Sequence, residues 1–170
     1  MRLAILGGSF NPVHIGHLAL AETVHRSLGY DRILLVPASV PPHKALASGA
    51  TAQDRLAMLK LATAGAPFLE VEDCEIERGG VSYTIDTVAY LEEKYRGRLD
   101  GKIALVIGDD LVALFDTWKE APLLAERTDV IVARRPLEGG LPAAFPYRHT
   151  ALDNALLPVS SSGIRDAIRL

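Results

Sequence analysis

Short apolar runs alternate along this chain with longer segments in which apolar residues recur at helical spacing. The apolar runs predict six strands: Leu3–Leu6, Arg32–Val36, Phe68–Val71, Lys102–Ile107, Val130–Ala133 and a short Ala155–Leu157. Strands that are apolar throughout are typical of a parallel sheet with helices on both faces. The pattern therefore predicts an α/β domain built on a mainly parallel sheet.

The segments between these runs predict helices that begin near Ile15, Thr51, Thr84 and Ser160. Gly29 offers a C-terminal stop to the first helix, because glycine adopts the left-handed conformation that ends many helices. The sequence Thr51-Ala52-Gln53-Asp54 resembles a capping box at the start of the second helix. The last helix is expected to have Ile164, Ala167 and Ile168 on its buried side.

An acidic run surrounds the single cysteine, Cys74, and consists of Glu70, Glu72, Asp73, Glu75 and Glu77. The acidic residues alternate as in a strand, which predicts a solvated edge. A lone thiol cannot form an internal disulfide, and acidic neighbours disfavour the reactive thiolate. We therefore expect Cys74 to be an ordinary strand residue.

Length and charge narrow the classes of protein to consider. A chain of 170 residues is long enough for one well-buried domain, which we expect to span residues 1–170. The net charge of −3 argues against a nonspecific binder of nucleic acid or anionic membrane, since such proteins need a basic excess. No apolar run fits a signal peptide or approaches membrane-spanning length, so the expected compartment is the cytoplasm.

Polar and glycine-rich segments follow the predicted strands at the points where those strands end. In an open parallel sheet, ligands bind beyond the carboxyl ends of the strands. The segments expected to converge there are Gly7–Phe10, Pro41–Lys44, Gly108–Asp110, Arg134–Pro136 and Pro158–Arg165. Their convergence predicts a ligand site at this edge of the sheet.

The first of these segments opens the sequence G-G-S-F-N-P-V-H-I-G-H, residues 7–17. Gly7 and Gly8 let backbone N–H groups approach a phosphate, and the following helix adds the positive end of its dipole. His14 and His17 share one face of the first helical turn, with Gly16 leaving room between them. A nucleotide-phosphate site is indicated, and a tight turn with a capping histidine is the alternative. The dinucleotide and P-loop glycine motifs do not occur.

These motifs make the chain similar to the bacterial nicotinate-nucleotide adenylyltransferase family of the H-x-G-H nucleotidyltransferase superfamily. The motifs that support the resemblance occur in family order, from Met1 to about Arg169: G-G-S-F-N-P-V-H-I-G-H, P-P-H-K, S-Y-T-I-D-T, G-D-D followed by Trp118, A-R-R-P and V-S-S-S-G-I-R. The resemblance implies a single Rossmann-like doubly wound domain, the nucleotidyltransferase fold. Members of this family generally continue with another short helical tail after the last motif, whereas this sequence stops at Leu170; a naturally short protein and a missing end both stay open.

On the ATP side, the resemblance implies contacts from Gly8, Ser9, Phe10, His14, His17, His43, Lys44, Ser160, Ser161 and Arg165. Of these, His14, His17, Lys44 and Arg165 are implied to be catalytic. Ser162 replaces the usual threonine of the last motif and keeps its hydroxyl. From the residues alone, two alternatives stay open: Ser160 could only cap a terminal helix, and His43-Lys44 could be ordinary solvated loop.

On the acceptor side, the resemblance implies mononucleotide contacts from Tyr83, Thr84, Gly108, Asp110, Trp118 and Arg135. Tyr83, Thr84 and Trp118 match positions that frame a pyridine ring, and Arg135 matches an arginine near the mononucleotide. The residues alone also allow Trp118 to be a core side chain. Asp109-Asp110 could be a metal pair, although we favour sugar binding and predict no protein metal site.

The implied reaction joins ATP and nicotinate mononucleotide to give deamido-NAD and pyrophosphate, within NAD biosynthesis. The acceptor phosphate is already ionised at neutral pH, so the reaction requires no protein general base. Catalysis would rest on positioning two anions and stabilising charge, with Mg²⁺ bound to ATP as the cofactor. The expected partners are ATP and nicotinate mononucleotide, without nucleic acid or membrane; a homo-oligomer stays open.

Three rival functions fit the sequence less well than this one. Adenylyl transfer to phosphopantetheine is disfavoured by S-Y-T-I-D-T and Trp118. A class I aminoacyl-tRNA synthetase fragment would need a K-M-S-K-S partner motif, which does not occur. A catalytically silent nucleotide sensor is disfavoured because all the charge-stabilising residues are present.

Overall fold

The computed structural model describes residues 1–42, 50–134 and 144–168, and its centre is one six-stranded sheet. The strands are β1 Leu3–Gly8, β2 Arg32–Pro37, β3 Leu69–Val71, β4 Ala104–Gly108, β5 Asp129–Ala133 and β6 His149–Leu152. Their order is β3-β2-β1-β4-β5-β6, and every neighbouring pair is parallel. The predicted α/β class and the doubly wound parallel sheet are confirmed.

Helices connect the strands: α1 Ile15–Leu28, α2 Ala52–Thr63, α3 Cys74–Arg78, α4 Thr84–Lys94, α5 Ala121–Arg127 and α6 Ser161–Ile168, with a 3-10 helix over Asp109–Thr117. Two predicted helix ends are confirmed. Gly29 ends α1 in the left-handed conformation, with φ of 70°. Thr51 caps α2 in a capping box with Asp54. Among the described residues, no helix has the length and apolar character needed to span a membrane.

The sheet separates two apolar clusters because alternate side chains of a strand point to opposite faces. On one face, Leu3 and Ile5 of β1 belong to a cluster with residues of α4 and α5, among them Leu91. On the other face, Leu6 packs in a cluster with residues of α1 and α2, among them Leu59. Full burial of one such side chain contributes roughly 1.5–3 kcal/mol, so these two layers fix the sheet rigidly.

The strand order reverses between β1 and β4, which lie side by side at the centre of the sheet. Their register pairs Leu6 with Val106, so the glycines that end the two strands, Gly8 and Gly108, face the same edge. In a doubly wound sheet, the crevice for ligands opens at this reversal. The fold therefore places the predicted ligand segments around one opening.

The sixth strand lies elsewhere than predicted. Ala155–Leu157 forms no strand, and Ala155 and Leu156 are exposed. The strand that extends the sheet is β6, which pairs with β5 in a register that sets Leu152 opposite Ala133. Apolarity could not identify β6, because it is an edge strand in which Leu152 alone is buried.

The prediction of a solvated acidic strand around Cys74 is wrong. Cys74 begins the short helix α3, and its thiol is buried, which raises its pKa to about 12. Glu72 and Glu75 are also buried. Glu72 pairs with Lys94 at 2.6 Å, and Glu75 accepts a hydrogen bond from the Thr87 hydroxyl at 2.6 Å. These partners, distant in sequence, are what allow the carboxylates to be buried.

The predicted buried side of the last helix is also wrong. None of the described residues of α6 is fully buried, and Ile168 is 77% exposed. Ala167 is likewise exposed, whereas Ile164 is half-buried. The described contacts that attach α6 are polar and lie in its first two turns, as described for the site below.

Candidate active site

The first turn of α1 is organised by two histidines. His14 is the N-cap of the helix, and its Nδ1 accepts a hydrogen bond from the backbone N–H of Gly16 at 3.2 Å. In return, Nδ1 of His17 accepts from the backbone N–H of His14 at 3.2 Å. The two rings are in contact, with centroids 3.8 Å apart and planes tilted by 33°. This is a capping box made from histidines, so the first turn is rigid.

This arrangement fixes the tautomer of both histidine rings. A nitrogen that accepts a hydrogen bond carries no proton, so Nδ1 is unprotonated in His14 and in His17. The ring hydrogen is then on Nε2 of each neutral imidazole. Nε2–H is a donor, which is the group that a phosphate oxygen accepts from. The geometry thus suits both rings for contact with phosphate.

Gly16 is required by close packing at this turn. A Cβ placed on Gly16 would lie 3.0 Å from Nδ1 of His14 and 3.2 Å from Cγ1 of Val159. Real Cβ atoms rarely tolerate such distances, so a side chain here would displace the His14 ring or the segment before α6. The glycine of the H-x-G-H motif therefore brings the histidines and the C-terminal segment together.

The loop between β1 and α1 is supported from below by Phe10. Phe10 is 1% exposed and has a φ of 45°, and its ring packs edge-on against His17 at 4.9 Å. A Cβ on Gly8 would lie 3.2 Å from this ring, so the loop backbone rests directly on it. Of the residues predicted on the ATP side, Gly8 and Ser9 line the cavity, whereas the Phe10 side chain is part of the core.

The C-terminal segment attaches to the same loop. The Ser161 hydroxyl donates to the carbonyl oxygen of Pro12 at 2.8 Å, and Arg165 Nη1 donates to that of Asn11 at 2.5 Å. The Ser160 hydroxyl accepts from the N–H of Gly163 at 3.0 Å, which is the bond of an N-cap. The first and last motifs, predicted to share one site, are in direct contact.

A buried arginine that the sequence analysis missed also holds this loop. Arg55 of α2 is fully buried, and its Nη1 donates to the carbonyl oxygen of Ser9 at 2.7 Å. A longer contact of 3.5 Å reaches the carbonyl oxygen of Ser39, after β2. Its Nε has no hydrogen-bond partner among the described residues, and burial lowers the pKa of the guanidinium. Arg55 therefore ties together the loops that follow β1 and β2.

Beside this loop, a cavity of about 210 Å³ opens over the ends of β1 and β4. Its wall includes Gly8 and Ser9 from the first motif and Tyr83, Thr84 and Trp118 from the predicted acceptor side. The structure thus brings Gly8 and Ser9 into one cavity with three residues of the predicted acceptor side. The other described residues of the predicted ATP side do not line it: His14, His17, Ser160, Ser161 and Arg165.

Trp118 lies between the 3-10 helix and α5, with its ring 5.2 Å from that of Phe115. It packs against the apolar cluster and lines the cavity, so its position combines the core and site interpretations. Its Nε1 is buried without a hydrogen-bond partner in the described part of the chain. An indole N–H normally finds a partner when buried, so this donor is one that a bound molecule could satisfy.

Lys119 follows Trp118 in sequence and also lines the cavity. Its Nζ lies 4.9 Å from the centre of the Tyr83 ring and 3.0 Å from a carboxylate oxygen of Asp86. Asp86 belongs to the first turn of α4, where a negative charge is favourable. Lys119 was not among the predicted site residues, since a lysine after a tryptophan has no motif of its own.

Glu75 forms part of the cavity wall and is 7% exposed. The Thr87 hydroxyl donates to it, and Arg78 Nη2 in turn donates to the Thr87 oxygen at 3.2 Å. Burial raises the pKa of Glu75, and these hydrogen bonds together with the charge of Arg78 only partly oppose that effect. The alternation of acidic residues in the sequence gave no indication that Glu75 turns inward.

The structure describes only some of the remaining predicted site residues. Gly108 ends β4, and Asp110 is exposed in the first turn of the 3-10 helix that follows. His43, Lys44 and Arg135 lie outside the described residues. Within the described ranges, no three His, Cys, Asp or Glu side chains form a group able to hold a metal ion.

Comparison with known proteins finds similarity along nearly the entire chain. The cytidylyltransferase-like family model matches residues 5–167. A Treponema pallidum (strain Nichols) protein named "Probable nicotinate-nucleotide adenylyltransferase" is 43% identical over 179 aligned residues, covering 99% of this chain and 88% of its own. A Borreliella afzelii protein of the same name is 42% identical, covering 99% and 84%.

Solved structures support the fold. The nicotinic acid mononucleotide adenylyltransferase of Plasmodium falciparum, complexed with NaAD, superposes with a TM-score of 0.74 over 97% of this chain and 82% of its own. At 18% identity, this likeness shows the fold alone. The sequence relatives also show the family, since two of them match nearly the entire chain at above 40% identity. The chain belongs to the nicotinate-nucleotide adenylyltransferase family.

Proposed function

We propose that this protein transfers the adenylyl group of ATP to nicotinate mononucleotide, giving deamido-NAD and pyrophosphate. The observation that supports the proposal most strongly is the shared cavity, where Gly8 and Ser9 of the H-x-G-H segment face the same space as Tyr83, Thr84 and Trp118. A transfer between two nucleotides requires this adjacency, because the reacting phosphates must meet. Membership of the family supplies the identity of the two substrates.

The chemistry needs charge stabilisation more than proton transfer. The phosphate oxygen of the mononucleotide attacks the α-phosphorus of ATP in line, an O–P bond forms, and the bond to the leaving pyrophosphate breaks. The attacking oxygen is already ionised at neutral pH, so no side chain has to remove a proton. Negative charge that develops on the α-phosphoryl group and on pyrophosphate must be neutralised by fixed donors.

On the ATP side, His14 and His17 direct Nε2–H donors at the phosphates, since their Nδ1 atoms are engaged in the helix cap. The Ser160 and Ser161 segment and Arg165 complete this half from α6. The proposal also assigns His43 and Lys44 to the triphosphate. His14, His17, Lys44 and Arg165 would stabilise the charge of the transition state.

On the acceptor side, Tyr83, Thr84 and Trp118 would enclose the pyridine ring. Support comes from the apolar wall of the cavity and from the unsatisfied Nε1–H of Trp118. Gly108 and Asp110 follow β4 at the same edge and would meet a ribose. The proposal places Arg135 near the phosphate of the mononucleotide.

Enzymes of this family that act on ATP commonly use a divalent metal, and we propose Mg²⁺ bound to ATP. The groups near the first turn of α1 include ring N–H and hydroxyl donors. Such donors suit phosphate oxygens better than metal ions. A metal that fits this donor set would take its ligands from phosphate oxygens and water. When bound, it would lower the negative charge of the triphosphate.

A pyrophosphate-release assay tests the proposal. The purified protein is supplied with ATP and Mg²⁺ and, in separate reactions, nicotinate mononucleotide, nicotinamide mononucleotide or phosphopantetheine. We expect the highest kcat/KM with nicotinate mononucleotide. Release with phosphopantetheine alone would assign a different acceptor, and absence of release with every acceptor would indicate a nucleotide-binding module without turnover.

A further inference from the structure

The side chain of Lys119 lines the cavity, although it belongs to neither apolar cluster of the core. It follows Trp118, lines the cavity, and holds its Nζ 4.9 Å from the centre of the Tyr83 ring. A cation over the face of an aromatic ring is attracted to it, which restrains the lysine beside Tyr83. The lysine therefore lies next to the residues assigned to the pyridine ring.

The ion pair with Asp86 does not account for this placement through stability. The side chains of Lys119 and Asp86 are 41% and 40% exposed, and ion pairs this exposed contribute little to stability. Asp86 already gains from its place in the first turn of α4, with or without the lysine. The pair is better explained as a means of orienting the ammonium group.

The charges around the cavity are uneven. Among the described residues that line it, Lys119 is the one cation, and Glu75 is the one acidic side chain. Glu75 is buried and already accepts a hydrogen bond from the Thr87 hydroxyl, whereas the Lys119 side chain is 41% exposed. An anionic substituent on a ring bound between Tyr83 and Trp118 would therefore be attracted toward Lys119.

We propose that Lys119 is a specificity-determining residue, whose ammonium group binds the carboxylate on the pyridine ring and so favours nicotinate over nicotinamide mononucleotide. The inference rests on the proposed function and adds a residue to it. The two mononucleotides differ in this one ring substituent, which is charged in the first and neutral in the second. A fixed cation thus discriminates between them, while stacking on Trp118 treats them alike.

Asp86 can keep its contact when the substrate arrives. An ammonium group has three N–H donors, so Lys119 can hold the aspartate and the substrate carboxylate at once. The two Nζ to Asp86 distances of 3.0 and 3.1 Å show that this contact uses one side of the ammonium. Asp86 then acts as a positioning residue that points Lys119 over Tyr83.

The test measures binding of each mononucleotide by isothermal titration calorimetry, which requires no turnover. Four proteins are compared: the unchanged chain, Lys119→Gln, Lys119→Arg and the control Lys60→Gln, which removes an exposed lysine on α2. We expect Lys119→Gln to weaken nicotinate mononucleotide by about tenfold, as for loss of one charge-assisted hydrogen bond. Nicotinamide mononucleotide should change less than about twofold. Lys119→Arg should restore most of the preference, and Lys60→Gln should change neither affinity.

The outcomes separate this inference from the proposed function. Equal weakening of both mononucleotides by Lys119→Gln, or no change in either, would overturn the role of Lys119 even in a fully active enzyme. Conversely, the unchanged protein could release no pyrophosphate and still bind the two mononucleotides with a preference that Lys119→Gln abolishes. That result would overturn the proposed reaction and leave the role of Lys119 supported.

Discussion

The two halves of the candidate site are built in different ways. On the ATP side, the histidine turn is formed by contacts between residues close in sequence, the mutual caps of His14, Gly16 and His17. Residues far along the chain then attach to the loop before this turn: Arg55, Ser161 and Arg165. On the acceptor side, the described contacts join different elements, such as Lys119 with Asp86 and Thr87 with Glu75. The centre of the first half therefore follows from a short motif, whereas the second exists only once the helices have packed.

The halves differ in chemistry as well as in construction. The ATP side presents ring N–H, hydroxyl and guanidinium donors, which suit phosphate, a group common to all nucleotides. Among the described residues, the acceptor side presents an aromatic and aliphatic wall with Lys119 and the buried Glu75, which suits a particular ring. We infer that the local half supplies the reaction and the long-range half supplies the choice of acceptor. Substitutions should then separate turnover from selectivity.

The largest effect is expected from His17→Ala. Loss of the Nε2–H donor should lower kcat by on the order of 100-fold, as when one preorganised donor to a developing oxyanion is removed. Discrimination between nicotinate and nicotinamide mononucleotide should stay the same, because the acceptor half is intact. Steady-state kinetics with each mononucleotide measures both quantities.

The matched variant His17→Asn tells a catalytic role from a capping role. Asparagine can accept from the N–H of His14 in place of Nδ1, but it lacks the distal N–H donor. We expect kcat of His17→Asn to remain as low as that of His17→Ala, with a melting temperature nearer to the unchanged protein. Recovery of kcat with asparagine would mean that the ring serves only the helix cap.

The next largest effect is expected from Arg55→Met, which removes the buried link between the loops after β1 and β2. The Ser9 carbonyl loses its charged donor, so the KM for ATP should rise about tenfold, in line with the value of a charge-assisted hydrogen bond. The KM for the mononucleotide should rise less. Removing a buried charge also relieves desolvation, so the melting temperature should fall by only a few degrees or not at all.

Arg55→Lys gives the control for this variant. Lysine keeps the charge but cannot reach two carbonyl groups with a planar fork, so it should recover little of the affinity for ATP. Full recovery would show that charge alone matters at this position. Equal increases of both KM values in Arg55→Met would contradict its assignment to the ATP half.

The same contrast explains what the sequence could predict. Strands β1, β2, β4 and β5 are apolar because they are buried on both faces, and short-range signals mark the caps at Gly29 and Thr51. The H-x-G-H motif could be assigned for the same reason. Its function depends on neighbours within one helical turn.

The missed features all depend on partners that are distant along the chain. Arg55 reaches Ser9 across 46 positions, and Lys119 reaches Asp86 across 33. Glu75 is acceptable in the interior because α4 supplies Thr87 to it. The sequence analysis placed the sixth strand at the wrong residues, because most side chains of the edge strand β6 are exposed and the strand therefore has no apolar pattern. Periodicity detects burial on a face, but it does not detect which polar group meets another.

A smaller effect is expected from Gly16→Ala, which tests how closely the ATP half is packed. The new Cβ would meet the His14 ring at 3.0 Å, and displacing a side chain from its rotamer costs about 0.5–1.5 kcal/mol, so kcat/KM for ATP should fall about threefold to tenfold. Alanine also favours the helix by up to about 1 kcal/mol, so stability should change little. Gly65→Ala, where a Cβ has nothing within 4 Å, should leave kinetics unchanged. Identical kinetics for Gly16→Ala would show that the ring moves freely.

The smallest effect is expected from Glu75→Gln, and it concerns the dependence of stability on pH. Burial raises the pKa of Glu75 above its ordinary value of 4.5, so the folded protein binds this proton more tightly than the unfolded chain. Between 4.5 and the raised pKa, the unchanged protein therefore loses free energy of unfolding as pH increases. Above the raised pKa, the loss is complete and constant.

Glutamine keeps an oxygen that accepts from Thr87 but has no proton to lose. The free energy of unfolding of Glu75→Gln, measured with urea from pH 4.5 to pH 8, should therefore rise relative to that of the unchanged protein as pH increases. Glu77→Gln, an exposed position on the same helix, should give no such trend. The two proteins could instead give parallel curves of the free energy of unfolding against pH. That result would mean that Arg78 and the hydroxyl groups fully offset the effect of burial on the Glu75 carboxylate. The acceptor half would then be as well balanced electrostatically as the ATP half, and their contrast would reduce to the sequence distance of their contacts.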